Sequence, residues 1–421
     1  MALALASTTL FGLAAEACAR ITVRRWSSQD ARRVPLIEPH PTLGWVKPAR
    51  ASAWIRRSEY LVHLQINSHG LRGPEIPWAR PAGVARVLLL GDSFTEGFCV
   101  AEEDTVRARL ESQLRELVGP LQVVNGGTTG YSTDQELLFY LEQGRRYEPD
   151  VVVLLVYYND LSDDTVGGLD KPRFDLVDGE LQLRNSPVPP PSPEVEEWLR
   201  RGFQLKPLRG SMALRLLSDH TAARNPGVHA ALVELGLAEP RRVPDTLPEE
   251  FWPFRPPRQL GRAPWRKPTA LLAAIAEAVR ADGARLVVFY VPARFEIDAA
   301  AWELTRARYS LGRRWTREGA ISWLRETCRA LGVPLIDPRP AMRASQDAGH
   351  PPYFAIDGHW NEDGHAIAAR EISAELRHEL SASAARRGPG RGARGPDRPL
   401  VPDGDRAAND QTRSGTTKGS R

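Results

Sequence analysis

Two short stretches of the sequence hold side chains that could form a nucleophilic site. Ser93 lies in the stretch GDSFTEG, directly after an apolar run. Asp357 and His359 lie in DGHWNEDGH (357–365), which ends in a second Asp-Gly-His triplet at His365. A serine hydroxyl becomes a good nucleophile only when a base such as histidine accepts its proton, and an aspartate can orient that histidine. These residue types therefore permit serine-based acyl chemistry if the fold brings them together.

Polar residues also follow the next two apolar runs of the chain. The stretch NGGTTG begins at Asn125, after LQVV, and Asn159 and Asp160 follow VVVLLVYY. Glycines allow a backbone amide to approach a ligand closely, and an asparagine amide can donate to a developing oxyanion. Taken singly, each of these features is typical of a turn, and a lone serine at the position of Ser93 is typical of a helix N-cap.

The elements that must position these residues follow from the hydrophobic pattern. Continuous apolar runs, which indicate strands buried on both faces, alternate with amphipathic stretches such as DTVRARLESQLREL. Strands that alternate with helices predict a parallel sheet with helices on both faces. Ligand sites in such sheets lie at the carboxyl ends of the strands, where Ser93, Asn125 and Asn159 occur.

The order of these blocks resembles the SGNH (GDSL) hydrolase family over residues 86–376. The resemblance implies a three-layer α/β/α sandwich with a mostly parallel, flavodoxin-like sheet and, in this chain, an inserted subdomain. It also implies that Ser93 is the nucleophile, that His359 is the general base and acid, and that Asp357 orients the imidazole. His365 would then lie in the first turn of the last helix and serve in packing.

The same resemblance implies an oxyanion hole formed by the Ser93 amide, the Gly127 amide and the Asn159 side chain. The residues expected to support these loops are Asp92, Asn125 and Asp160. No metal and no cofactor are implied, and the implied partner is a small molecule, lipid or saccharide that carries an ester.

The spacing Asp-x-His followed by Trp360 differs from the more common Asp-x-x-His of the family. This variant resembles the alginate O-acetyltransferase-like and membrane-tethered SGNH proteins. We expect a serine esterase or lipase-type hydrolase that works through an acyl-serine. Two alternatives remain open: an O-acyltransferase that modifies a cell-surface polysaccharide, and a non-catalytic carbohydrate-binding protein on the same scaffold.

The pattern along the chain predicts four regions. The apolar start predicts a membrane anchor over 1–25, with an irregular lead-in over 26–85. The hydrolase domain is predicted over 86–380 and is interrupted by a lid-like insertion over 161–267. An Arg-, Gly- and Pro-rich stretch with almost no large apolar residue predicts a disordered tail over 381–421.

The charge balance argues against a nucleic-acid partner. The chain of 421 residues has a formal net charge of +4, and the nine basic and four acidic residues from Ser383 onward contribute +5 of it. The folded part is therefore close to neutral and lacks the basic surface that nucleic-acid binding requires. The anchor predicts a membrane-associated or periplasmic location, with a cytoplasmic one still open and the oligomeric state undetermined.

Overall fold

The computed structural model describes residues 12–18, 36–57, 59–161, 170–193, 195–196, 228, 231, 249–256 and 261–386. Most of the predicted anchor and insertion, and the predicted tail beyond Arg386, lie outside these residues. Within the described ranges, no helix is both long enough and apolar enough to cross a membrane.

The strands and helices of the described residues have the following bounds. In chain order, the strands are β1 (Glu38–His40), β2 (Gly44–Val46), β3 (Ser52–Arg56), β4 (Leu61–Gln65), β5 (Ala85–Leu90), β6 (Leu121–Asn125), β7 (Val151–Val156), β8 (Arg173–Val177), β9 (Glu180–Arg184), β10 (Arg285–Tyr290) and β11 (Leu335–Ile336). The helices are α1 (Ser93–Glu96), α2 (Val106–Val118), α3 (Thr133–Glu142), α4 (Arg266–Ala281), α5 (Arg294–Ile297), α6 (Ala299–Arg308), α7 (Gly319–Leu331), α8 (Arg339–Asp347) and α9 (Glu362–Arg386).

The central sheet has five parallel strands in the order β11-β10-β7-β5-β6. Counted from β5, this is the flavodoxin-like order 2-1-3-4-5, in which the chain first adds a strand on one side and then crosses to the other. The predicted α/β class and mostly parallel sheet are confirmed. Loops that follow β5 and β7 diverge at this crossover, and the resulting crevice is where such folds bind ligands.

Helices cover both faces of the sheet because alternate strand residues point to opposite sides. Leu88, Val152 and Val288 belong to one apolar core, which includes residues of α3, α4 and α7. Val87, Val153 and Val287 belong to the other, which includes residues of α2 and α9. All of these strand side chains are fully buried, which explains why the strands are continuous apolar runs.

The lead-in is more regular than the sequence analysis predicted. Residues 36–65 form two antiparallel pairs, β1 with β2 and β3 with β4. Leu61–Gln65 alternates between outward and buried residues, as a strand with one covered face requires. Because each strand is short and the stretch is rich in polar residues and prolines, its hydrophobic pattern was too weak to predict hairpins.

Two further features concern the predicted boundaries. The described part of the insertion contains an antiparallel hairpin, β8 with β9, which does not join the central sheet. Helix α9 continues to Arg386, six residues past the predicted end of the domain at 380, so the prediction of disorder was wrong for residues 381–386. That stretch, SASAAR, is rich in alanine, which favours helix continuation.

Candidate active site

Ser93 begins helix α1 at the carboxyl end of the central strand β5. The chain turns sharply between them because Gly91 adopts a φ of +149°, and a Cβ there would collide with the Thr95 side chain. Asp92 caps the short helix, since its Oδ1 accepts the Phe94 amide at 2.9 Å. The turn therefore presents the Ser93 hydroxyl at the strand ends while its backbone amide remains at the helix N-terminus, where no described residue accepts a hydrogen bond from it.

The side chains of Ser93, His359 and Asp357 form a continuous hydrogen-bonded series. Ser93 Oγ lies 2.8 Å from His359 Nε2, and His359 Nδ1 lies 2.5 Å from Asp357 Oδ1. Gly358, with a φ of +85°, allows the tight turn through which residues only two apart in the sequence face each other. Although burial acts to raise the pKa of Asp357, the hydrogen bond from His359 holds it below its usual value.

Aromatic rings enclose the His359 imidazole on two sides. The Phe94 ring centroid lies 4.8 Å from that of His359, and the Phe98 centroid lies 4.9 Å away in an edge-on arrangement. The imidazole side chain is nevertheless 25% exposed, so the site remains open to a substrate. Such partial enclosure fixes the ring and strengthens its hydrogen bonds by excluding some of the water around them.

The second histidine of the motif lies away from the nucleophile, as the sequence analysis expected. His365 is in the first turns of α9 and is only 1% exposed. It packs against the Trp360 ring, with centroids 5.7 Å apart, and its Nδ1 has no hydrogen-bond partner among the described residues. Burial, assisted by nearby Arg72, lowers the pKa of His365 to about 3, which is unsuitable for a base that must take up a proton near neutral pH.

The Gly127 amide does not have the environment predicted for an oxyanion-hole donor. It donates to Asn125 Oδ1 at 3.0 Å, within its own loop. A Cβ on Gly127 would lie 2.5 Å from the Glu96 amide nitrogen, so this glycine permits the loop to pack against α1. The predicted place of Gly127 in the oxyanion hole stays a prediction, and these contacts do not support it, because its N–H is already bonded inside the loop.

The third glycine of NGGTTG has the features that Gly127 lacks. Gly130 has a φ of +78°, and its amide donates to no acceptor among the described residues. Gly130 was not among the predicted site residues, because the prediction was based on the adjacent pair Gly126 and Gly127. The sequence did carry a signal for Gly130, because a glycine at the end of a Gly-rich loop after a strand can also present its amide to a ligand.

The Asn159 side chain lies just beyond the end of β7, in a single 3₁₀ turn. Its Oδ1 is buried and accepts no hydrogen bond from the described residues, and its Nδ2 donates to none of them. A buried amide oxygen without a donor costs free energy, so such an atom usually accepts from a ligand or water. The prediction that the Asn159 amide nitrogen donates to the oxyanion remains a prediction, because the unpartnered buried atom is the acceptor Oδ1.

The three predicted supporting residues hold loops in place. Asn125 joins its own loop to α1, because its Nδ2 lies 3.4 Å from the Glu96 carbonyl oxygen while its Oδ1 accepts the Gly127 amide. Asp160 Oδ2 accepts the Tyr157 amide at 2.7 Å and closes the turn after β7. Together with the Asp92 cap, these contacts fix the segments that follow β5, β6 and β7.

Buried carboxyl groups lie close to Ser93. Burial raises the pKa of Asp92 to about 6. Burial, with the nearby Asp92 and other acids, raises the pKa of Glu136 and of Asp160 well above their usual values. Both Glu136 carboxyl oxygens lack a hydrogen-bond partner among the described residues, as expected of a carboxyl group that is kept neutral.

The lead-in contributes residues to the site region that the sequence did not predict. Lys47 Nζ is buried and donates to the Gly127 carbonyl and to Thr128 Oγ1, both at 2.8 Å. The buried Arg72 donates to the carbonyls of Glu96, Gly97 and Val100 at the end of α1.

Two further lead-in residues reach the triad itself. Tyr60 and Glu59 bind the loop that carries Asp357. No pattern in the sequence indicated a role for Lys47, Glu59, Tyr60 or Arg72. A basic, acidic or tyrosine side chain in an irregular segment is usually a surface residue.

Comparison with known proteins identifies the family. A family model described as the GDSL-like lipase/acylhydrolase family matches residues 89–367. A comparison with curated proteins gives no match. The match runs from β5 through the insertion to α9 and includes all three residues of the hydrogen-bonded series.

Solved structures with a related arrangement are distant. A lipase/acylhydrolase from Enterococcus faecalis is 13% identical, with 73% of this chain and 100% of that chain covered at a TM-score of 0.35. An acetylxylan esterase from Geobacillus stearothermophilus is 12% identical, with 70% and 95% covered at 0.36. An α/β hydrolase from the metagenome of Lake Arreo, Spain, is 15% identical, with 72% and 98% covered at 0.36. Likenesses at this level identify no substrate.

The family match covers more than half of the chain, and the central sheet has the strand order that the resemblance implied. The chain therefore belongs to the GDSL-like lipase/acylhydrolase family and is an enzyme that hydrolyses ester bonds.

Proposed function

We propose that this enzyme is a serine esterase in which Ser93 forms an acyl-enzyme and His359 carries the protons. The observation that supports this most directly is the series Ser93 Oγ–His359 Nε2–His359 Nδ1–Asp357 Oδ1, with distances of 2.8 Å and 2.5 Å. It lies at the carboxyl end of the sheet, beside the crevice in which flavodoxin-like folds bind ligands.

The reaction follows from these positions. His359 Nε2 takes the proton of Ser93 Oγ as the oxygen attacks the ester carbonyl, and Asp357 stabilises the imidazolium that forms. Collapse of the tetrahedral intermediate breaks the bond to the alcohol, which leaves with the proton from His359. Water then loses a proton to His359 and attacks the acyl-serine, and a second collapse releases the acid and restores Ser93.

The negative charge that develops on the carbonyl oxygen needs hydrogen-bond donors. We propose the amides of Ser93 and Gly130 together with the Asn159 side chain. All three are without a hydrogen-bond acceptor in the described part of the chain, whereas the Gly127 amide is already bonded. Donors that are fixed before the reaction stabilise the intermediate at little reorganisation cost.

We propose an ester on a saccharide or a lipid as the substrate, and acyl transfer to a sugar hydroxyl as the second candidate reaction. The Asp-x-His spacing followed by Trp360 favours the second candidate through its likeness to the alginate O-acetyltransferase-like and membrane-tethered proteins. The two reactions share every step up to the acyl-serine and differ only in whether water or an alcohol attacks it. A membrane-associated or periplasmic location accompanies this proposal and depends on the predicted anchor.

Labelling with a fluorophosphonate ester tests the nucleophile. In the full-length chain, we expect labelling of wild type and of the control His350→Ala, which alters an exposed histidine. Ser93→Ala and His359→Ala should not label, and mass spectrometry should find the adduct on Ser93. A folded wild type that does not label would contradict the proposal and favour a carbohydrate-binding role. A Ser93→Ala variant that hydrolyses nitrophenyl acetate normally would contradict Ser93 as the nucleophile.

A partition experiment separates the two reactions. The acyl-enzyme formed from nitrophenyl acetate is offered water alone or water with an oligosaccharide. A hydrolase should release acetate at the same rate in both, whereas a transferase should release the nitrophenol faster with the oligosaccharide and give an O-acetylated sugar by mass spectrometry.

A further inference from the structure

The hydrogen-bonded series that starts at Ser93 continues past Asp357 to a residue near the start of the described chain. Tyr60 lies at the turn of the β3–β4 hairpin, and its hydroxyl donates to Asp357 Oδ2 at 2.8 Å. The other carboxylate oxygen, Oδ1, lies 2.5 Å from His359 Nδ1. Each oxygen of Asp357 therefore has its own partner, one of them 297 residues away in the sequence and the other only two.

The hairpin also holds the backbone of the same loop. Glu59 Oε2 accepts the amides of Ile356 at 2.9 Å and of Asp357 at 2.7 Å. Hydrogen bonds from backbone amides to a carboxylate are among the stronger ones in proteins. Tyr60 thus fixes the Asp357 side chain while its neighbour fixes the main chain beneath it.

Packing leaves the Tyr60 hydroxyl little freedom. The residue is 9% exposed, and its ring lies 5.1 Å from that of Phe354 and 6.3 Å from that of Phe98, which in turn contacts His359. Burial, together with the negative charge of Asp357, raises the pKa of Tyr60 well above its usual value. The hydroxyl consequently keeps its proton and acts as a donor.

We propose that Tyr60 is a positioning residue of the catalytic series, which holds the Asp357 carboxylate so that Oδ1 faces His359. This inference rests on the proposed function of Ser93, His359 and Asp357. The physical reason is that the terminal torsion of an aspartate side chain is soft, so one hydrogen bond does not fix the plane of the carboxylate. Asp357 lies in a loop with a left-handed glycine after it, and the hairpin supplies the support that this loop lacks.

The test removes the hydroxyl and keeps the ring. Tyr60→Phe in the full-length chain should lower kcat about tenfold, which is the effect of losing one hydrogen bond to a charged group. KM should stay within about twofold, because the hydroxyl touches Asp357 and not the substrate. The matched control is Tyr140→Phe, whose hydroxyl makes the same kind of bond to Asp282 Oδ2 at 2.9 Å. This control should leave kcat unchanged.

A double-mutant cycle distinguishes positioning from a general loss of structure. If Tyr60 acts through Asp357, Tyr60→Phe should not reduce the rate further in an Asp357→Ala background, since coupled residues give non-additive effects. The rate of fluorophosphonate labelling at Ser93 provides the readout in the slow variants, and thermal unfolding is measured for each. Glu59→Ala serves as a second variant of the hairpin and should be non-additive with Asp357→Ala in the same way.

The outcomes separate this inference from the proposed function. Normal kcat in Tyr60→Phe, or an equal fall in rate in both backgrounds, overturns the positioning role while the triad stands. Absence of labelling at Ser93 in wild type overturns the proposed function itself.

Discussion

His359 and His365 belong to identical Asp-Gly-His triplets, yet their environments differ in every respect that matters for proton transfer. The first is partly exposed and has a hydrogen-bond partner at each ring nitrogen. The second is buried, and its pKa is lowered to about 3 by burial and by nearby Arg72. Burial disfavours the charged imidazolium, so only a histidine with a neighbouring carboxylate and access to water can accept and return a proton.

The two loop residues Asn159 and Gly127 allow a contrast at the residue scale. Asn159→Ala removes a donor that has no other partner, so we expect kcat to fall about a hundred- to a thousand-fold with little change in thermal stability. Measurement of kcat, KM and the melting temperature on one preparation checks this. A fall in melting temperature large enough to explain the loss of activity would argue for a structural role of Asn159.

Gly127→Ala should instead act on stability. A Cβ at this position would lie 2.5–2.7 Å from atoms of Thr95 and Glu96, mostly backbone, so the loop or α1 must shift. We expect a loss of about 1–3 kcal/mol in the free energy of unfolding, the usual effect of overpacking. Urea denaturation measures it, with Gly312→Ala as the control, because a Cβ there meets nothing within 4 Å and neither glycine has a left-handed φ. Equal losses in the two variants would contradict overpacking as the cause, since Gly312 has room for the added methyl group.

At the scale of elements, the strand-end loops are held from below by the lead-in. Lys47 binds the loop after β6 and lies 3.5 Å from the carboxylate of Glu96, which in turn accepts the amide and hydroxyl of Thr129. Arg72 binds the carbonyls at the end of α1. The loop after β6 and the segment after α1 have no regular secondary structure. The two buried cations, Lys47 and Arg72, therefore replace the backbone hydrogen bonds that a helix or strand would supply.

Removal of the Lys47 charge tests this role of the lead-in. Lys47→Met keeps the apolar stem but leaves the buried Glu96 carboxylate without its cation, so we expect a loss of about 3 kcal/mol in the free energy of unfolding. Adding Glu96→Gln should recover part of that loss, because the buried charge disappears with its partner. Urea denaturation of the two single variants and the double variant provides the comparison, and strictly additive effects would contradict the pairing.

At the scale of the whole molecule, the crossover between β5 and β7 gathers acidic residues as well as Ser93. Asp92 follows β5 and Asp160 follows β7, while Glu136 comes from α3, which packs on the same side. All three are almost completely buried, and burial is the largest cause of their raised pKa values. The fold therefore keeps protons on carboxyl groups that the unfolded chain would release.

This predicts a dependence of stability on pH. The folded-state pKa of Glu136 lies well above that of an exposed glutamate, about 4.3, so above that pH the unfolded chain binds fewer protons than the folded one. The contribution of protonated Glu136 to the free energy of unfolding is fully present below its unfolded pKa. It is lost as the pH rises toward its folded pKa. Glu136→Gln replaces this carboxyl group by an amide that does not titrate. The melting temperature of the variant minus that of wild type should therefore be larger at pH 8 than at pH 5.

Thermal unfolding at the two pH values checks the prediction. The control is Glu116→Gln, on an exposed position of α2, which should give the same difference from wild type at both. An equal difference for Glu136→Gln at pH 5 and pH 8 would show that this carboxyl group is ionised in the folded protein.

The sequence by itself determined the class of the sheet and predicted the candidate residues of the site. Continuous apolar runs are typical of strands buried on both faces of a parallel sheet, so Ser93, Asn125 and Asn159, which follow such runs, were expected along one edge. Asp357 and His359 lie in the loop before α9 and were predicted through the family resemblance. These features depend on local pattern and chain order, and the structure has them where the sequence placed them.

Tertiary structure decided what supports the site. Tyr60 and Asp357 are 297 residues apart, and their contact depends on how the hairpin packs against the last loop. Lys47 and Arg72 give no sign in the sequence of being buried, because burial of a charge depends on partners that only the fold supplies. The distinction between Gly127 and Gly130 has the same origin: the two glycines are chemically identical, and only the path of the loop determines whose amide is already bonded.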